Sequence, residues 1–221
     1  VTHRYKNVTY TIEMPGSSSF IRNTFLHLIA GLFVTGLSAE NPVISDVQKK
    51  PLTQLVLFFV LVGLLIMLYQ MQPGLPKYGV FALMCILLGQ NLTALEQRLS
   101  STGTLQSHML FTAAIFVAMA GVGMYDNQNM LQWETYLGFS LLSVIFAMFC
   151  SALFLEGAQR NSTTTWINRL VTILFTIYVG FDVEVLKENA KIYSNAPDYI
   201  KESVALYLDF YNLFVSVGSS D

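Results

Sequence analysis

Thr176-Ile-Tyr-Val-Gly-Phe-Asp182 and Ala205-Leu-Tyr-Leu-Asp-Phe-Tyr-Asn-Leu-Phe214 each set one aspartate inside a long apolar, aromatic-rich run. An acid at membrane depth costs at least about 2.5 kcal/mol, so such residues face a protein interior or a water-filled cavity and mark an ion or proton path. The surrounding chain makes membrane depth the right setting. Of its 221 residues 53% are hydrophobic and 12% charged, against roughly 25% charged in a soluble domain. With a net charge of −2 and twelve scattered basic residues, the chain offers no basic field for nucleic acid. Cys85 and Cys150 fall within apolar spans, where a free thiol behaves as a small hydrophobe. They suggest neither a disulfide framework nor a zinc site.

Working outward from the two acids, a span needs about 20 mostly apolar residues to cross roughly 30 Å of hydrocarbon. Seven stretches qualify, near 20–38, 52–71, 77–97, 105–125, 135–157, 165–187 and 200–217. Pro51 precedes the second, and Gln72-Pro-Gly-Leu-Pro76 breaks the second from the third, as helix-stopping residues do. The expected fold is an all-α integral membrane protein with seven transmembrane helices. The last is the shortest and most polar, so a tilted or re-entrant course is open to it. Three segments follow: a polar N-terminal arm, 1–19; the membrane domain, 20–217; and a short polar end, 218–221. The arm lacks the basic and apolar regions of a cleavable signal and is a candidate dock for a protein partner. Seven basic residues on the N-terminal side against five on the other favour a cytosolic N-terminus.

If the sixth span leaves the membrane near Lys187 and the seventh re-enters near Ile200, Asp182 lies roughly 8 Å and Asp209 roughly 13 Å from the same face, at 1.5 Å per residue. Antiparallel neighbours joined by a short loop pack side by side, so the two carboxyls are expected to meet. Glu202, Asp209, Asn212 and Ser216 recur at seven- and three-residue spacing, one polar stripe on an apolar helix. Tyr178 lies one turn before Asp182, within hydrogen-bonding register. Two close carboxylates in a low-dielectric site cannot both ionise cheaply and tend to share a proton. Deprotonated, they offer four hard oxygens of the kind Ca²⁺ accepts. Asp182 and Asp209 are therefore candidate pH-sensing, gating and Ca²⁺-contacting residues, and no other cofactor is expected.

Other residues read more plainly. His27 stands at a depth where an imidazole could relay protons or pair with a carboxylate, although a packed or interfacial histidine is the simpler reading. Trp133, Tyr136 and Trp166 suit an interfacial belt. Glu184, Lys187, Glu188 and Lys191 form helical charge pairs at a solvated end. Gly121, Gly123 and the nearby alanines give a small-residue face suited to close helix packing.

These last two spans resemble those of the Bax-inhibitor-type transmembrane family, also called TMBIM, which includes bacterial calcium-leak members. Ala205–Phe214 carries the closest likeness; Ile177–Asp182 with Glu184 and Glu188, Asp198-Tyr-Ile200, Ala94-Leu-Glu96, and Arg22 with Phe25-Leu26 add to it. The resemblance implies a central last helix ringed by the others and a pH-sensitive aspartate pair, here Asp182 and Asp209, controlling a calcium leak. It makes Glu96 a candidate acid near the opposite mouth. Some members latch the pair with an arginine late in the second span, where this chain reads Tyr69-Gln-Met-Gln-Pro-Gly-Leu-Pro-Lys77. Lys77 and Arg22 are the candidate replacement cations, though lysine lacks arginine's bidentate fork. The basic C-terminal tail of some animal members is missing.

The function this implies is a pH-sensitive cation leak, for Ca²⁺ first, in an intracellular membrane of the endoplasmic reticulum or Golgi type, a viral or bacterial membrane being the alternative, with a cell-death-suppressing role. It is not an enzyme on this reading. A non-conducting scaffold, whether a cell-death regulator or a viral or organellar assembly component, is the alternative. An intramembrane aspartyl protease also pairs aspartates on adjacent helices, but Tyr207-Leu before Asp209 lacks that class's Gly-x-Gly-Asp element.

Overall fold

The computed structural model describes residues 2–5, 8–11, 17–41, 51–125, 130–193 and 197–220. Seven long helices lie among them: α1 (Ser17–Glu40), α2 (Pro51–Gln70), α3 (Leu75–Ser101), α4 (Leu105–Met124), α5 (Glu134–Phe154), α6 (Gly157–Tyr193) and α7 (Tyr199–Gly218). Within the polar arm, strands β1 (Thr2–Tyr5) and β2 (Val8–Thr11) pair antiparallel, Thr2 opposite Thr11.

Local chemistry sets the breaks. Pro76 occupies the first turn of α3, where its missing N–H costs nothing. Gly103 turns the chain from α3 to α4 at φ 71° and Gly157 opens α6 at φ 56°, backbone conformations that glycine adopts without strain. Asp198 caps α7 by accepting the Lys201 N–H at 3.1 Å, satisfying one of the helix's free first-turn donors.

Five of the helical stretches are long and apolar enough to cross a membrane by themselves: α1, α2, α3, α4 and residues 130–151. The two that fall short, α6 and α7, carry the acids. α7 packs against α1, α2, α3, α4 and α6 and holds a buried face running from Ile200 to Gly218, so it sits at the centre as expected. Polar groups tolerable inside a protein need not satisfy a lipid-facing hydropathy pattern. Conversely, α2 and α5 show large apolar side chains to the outside, among them Phe58, Phe59, Phe139 and Phe146. An apolar surface this extensive belongs against lipid.

One boundary differs from expectation. α6 begins near 157 and runs to 193, well beyond the 165–187 span, because its polar ends remain helical outside the apolar window. Asp182 is thus eleven residues from the end of α6 and Asp209 ten residues into α7, about 16 and 15 Å at 1.5 Å per residue. The two acids thus lie at similar distances from the connection between their helices.

Candidate functional site

α6 and α7 run antiparallel and are joined by rungs of polar contact. Asn189 Nδ2 donates to Glu202 Oε2 at 3.0 Å, Thr172 Oγ1 to Ser216 Oγ at 2.9 Å, and Asn168 Nδ2 to the Ser219 carbonyl at 3.2 Å. Between the first two rungs Asp182 and Asp209 come together across the seam, near enough for their carboxyls to influence one another. The seven-residue spacing of Glu202, Asp209 and Ser216 produces this register, since two helical turns return each to the same face.

The two acids are not equivalent. Asp209 is 3% exposed and its Oδ2 is enclosed, with no hydrogen-bond donor among the described residues. A buried carboxyl oxygen left unpaired is costly, and a proton shared with Asp182 or a passing cation relieves it. Asp182 lines a pocket of about 320 Å³ with Tyr69, Glu134, Asn189, Lys201 and Glu202. One acid opens to this vestibule while the other lies behind it. Asp182, Glu134 and Glu202 give the vestibule three carboxyl groups against the single ammonium of Lys201. Among the described residues no three His, Cys, Asp or Glu side chains gather as a metal site, so a cation at the pair would keep most of its water shell.

The remaining predicted residues separate into three places. Tyr178 is half-buried and within electrostatic range of both acids, but its ring packs on Phe175 and Phe181. Asn212 donates to the Leu208 carbonyl of its own helix at 2.8 Å, so it lies off the inter-helix ladder that Ser216 joins. Glu96 is far along α3, lining a different pocket with Glu40.

Two candidate latch cations are corrected, and His27 follows its simpler reading as a packed histidine rather than a proton relay. Lys77 is fully buried, yet its ammonium pairs with Asp198 Oδ2 at 2.5 Å and donates to the Met71 carbonyl at 3.0 Å, so it ties the α2–α3 turn to the cap of α7 rather than latching the acid pair. Arg22 is exposed on α1 and forms no ion pair with either acid. His27 meets the Asn23 carbonyl at 2.7 Å and the Tyr78 hydroxyl at 3.3 Å and stacks on Tyr199; these contacts hold it away from both carboxyls. Glu184 also departs from the solvated end proposed for it: 6% exposed, it accepts the Met130 N–H at 2.8 Å, while Glu188 and Lys191 do form the exposed pair.

Sequence reasoning missed Tyr69 and Lys201. Tyr69 stands near the acids on α2, within electrostatic range of Asp182, Glu202 and Asp209, and Lys201 Nζ lies 6.0 Å from the centre of its ring. Their signal was the very stretch without an arginine, together with a basic residue next to Glu202.

Comparison with known proteins places the whole helical region in one family. The family described as inhibitor of apoptosis-promoting Bax1 matches residues 17–219. An uncharacterised protein of Campylobacter jejuni is 28% identical over 208 residues, covering 90% of this chain and 86% of its own. Bax inhibitor 1 of Schizosaccharomyces pombe is 26% identical over 232 aligned positions, covering 97% and 80%. With its acid-bearing helices at the centre of a seven-helix membrane fold and a match spanning nearly its full length, the chain belongs to the Bax inhibitor family.

Proposed function

We propose that this protein is a pH-sensitive cation leak, with Ca²⁺ as its principal ion and Asp182 and Asp209 as its gate. The observation that carries the reading is the meeting of these two carboxyls on the central helix pair, one enclosed and one open to an acidic vestibule. With one proton between them the carboxyls bridge α6 to α7. Without it, two adjacent negative charges repel across the helix seam and attract a cation. Ion flux therefore rises with pH. The vestibule carboxylates raise the local cation concentration at the entrance. The proposed setting is an intracellular membrane with a slow release of stored Ca²⁺, and suppression of cell death, in keeping with the name of the relative Bax inhibitor 1, is the proposed outcome.

The test is Ca²⁺ flux from liposomes carrying the purified protein, followed from mildly acidic to mildly alkaline pH. In Asp182→Asn and Asp209→Asn the amide bridges the remaining carboxyl at every pH, so flux is low and no longer varies with pH. Wild-type-like flux and pH response in both variants would overturn the gate. Circular dichroism and size-exclusion profiles of each variant separate lost folding from lost conduction.

A further inference from the structure

α1 packs on α3 and α7, and α4 on α6 and α7, leaving a groove between α1 and α4 that is floored by the central helix. It encloses about 460 Å³, within the range of small-molecule sites. Ile29, Phe33 and Gly36 of α1, Met109 of α4, and Phe210 and Phe214 of α7 give it an almost wholly apolar lining. From Ile29 to Glu40 its α1 wall covers twelve residues, eleven steps or about 16 Å at 1.5 Å per residue. One leaflet's share of the roughly 30 Å hydrocarbon core is about 15 Å.

At the end of the groove the chemistry changes. Glu40 and Glu96 come to its rim from α1 and α3. Glu40 is also the last residue of α1, a helix with no basic residue in its final turn, so its charge adds to the negative end of the helix dipole. Neither carboxylate has a cationic partner among the described residues. An apolar slot about as long as one leaflet is deep, ending in two carboxylates, has the shape and charge complement of an acyl chain joined to a cationic head.

We propose that this groove binds one chain of a phospholipid whose headgroup ends in a primary ammonium, as in phosphatidylethanolamine, with the ammonium between Glu40 and Glu96. Three N–H donors serve the two carboxylates; a choline head brings the charge without donors, and a glycerol head brings hydroxyl donors without the positive charge. The bound chain lies against Phe210, next to Asp209 in sequence, and Phe210 in turn packs on Phe116 of α4 with ring centres 5.5 Å apart. The site thus touches the central helix beside the acid pair, but its existence does not rest on conduction.

Native mass spectrometry of the protein released from nanodiscs containing equal phosphatidylethanolamine, phosphatidylcholine and phosphatidylglycerol reads the site directly. The expected result is a one-lipid adduct enriched several-fold in phosphatidylethanolamine. In Glu40→Gln/Glu96→Gln the adduct persists and its headgroup preference disappears. Gly36→Phe fills the groove and removes the adduct; a Cβ at Gly36 meets no atom within 4 Å, and circular dichroism and size-exclusion profiles confirm that the variant is folded before its lipid is read. An adduct equally abundant in Gly36→Phe, or one whose composition follows the bulk lipid in wild type, would mean loosely held annular lipid and overturn the proposal.

Discussion

Lys77 is the residue whose sequence and structure diverge most. Its ammonium is enclosed near the N-terminus of α3, the end of a helix dipole least hospitable to a cation, and it is kept there by Asp198 and the Met71 carbonyl. Asp198 also caps α7. Removing either partner is therefore unequal in effect. Asp198→Ala strands a buried ammonium and strips a cap, a loss of about 3–5 kcal/mol for the pair and about 1 kcal/mol for the cap. Lys77→Met leaves only a partly exposed carboxylate and is the milder change. Thermal unfolding in detergent checks the order; equal losses would contradict it. Sequence reading put Lys77 on the correct side of the membrane and assigned it the wrong carboxylate. Position along the chain gives depth, whereas the direction a side chain takes around the helix axis depends on packing. For Asp182 and Asp209 the seven-residue spacing of Glu202, Asp209 and Ser216 supplied that missing direction, so their meeting on the α6–α7 seam could be anticipated while their role stays a proposal. For His27 nothing did, and its partners turned out to be Tyr78 and Tyr199.

At the level of helices, close approach is bought by single glycines. A Cβ on Gly123 would collide with the Gly180 carbonyl of α6, while one on Gly121 meets nothing within 4 Å. The small-residue face read from Gly121 and Gly123 thus divides, two residues apart, into one contact glycine and one idle. Replacing glycine by alanine inside a helix gains about 1 kcal/mol from propensity alone. Gly121→Ala is expected to keep that gain, and Gly123→Ala to lose more than it by forcing α4 from α6. Paired unfolding curves test the sign at each position. Gly89 stands in the same relation to Thr35 of α1, which in turn hydrogen-bonds the buried Tyr207 hydroxyl of α7 at 2.6 Å. All seven helices were visible as apolar runs between Pro and Gly breaks. The excess length of α6 was not, because a solvated turn carries no hydropathy signal.

On the scale of the molecule, stability is graded from the centre outward. Five helices lean on α7, whereas α2 has Leu68 as its one buried side chain among those described. Local opening follows the number of buried contacts an element must break. Hydrogen exchange measured by mass spectrometry in detergent is expected to be slowest along α7 and faster along α2; the reverse order would refute the central placement. The same gradient puts the acid pair in the least mobile part of the protein while Tyr69, on the outer α2, supplies one wall of its vestibule. Asp182 opens to that vestibule while Asp209 is buried, so among the described residues the vestibule is the route by which acidity reaches the couple. On the gating proposed above, the leak would answer to the compartment on the side of the α6–α7 connection, and turning the protein over in the bilayer would exchange which solution it obeys.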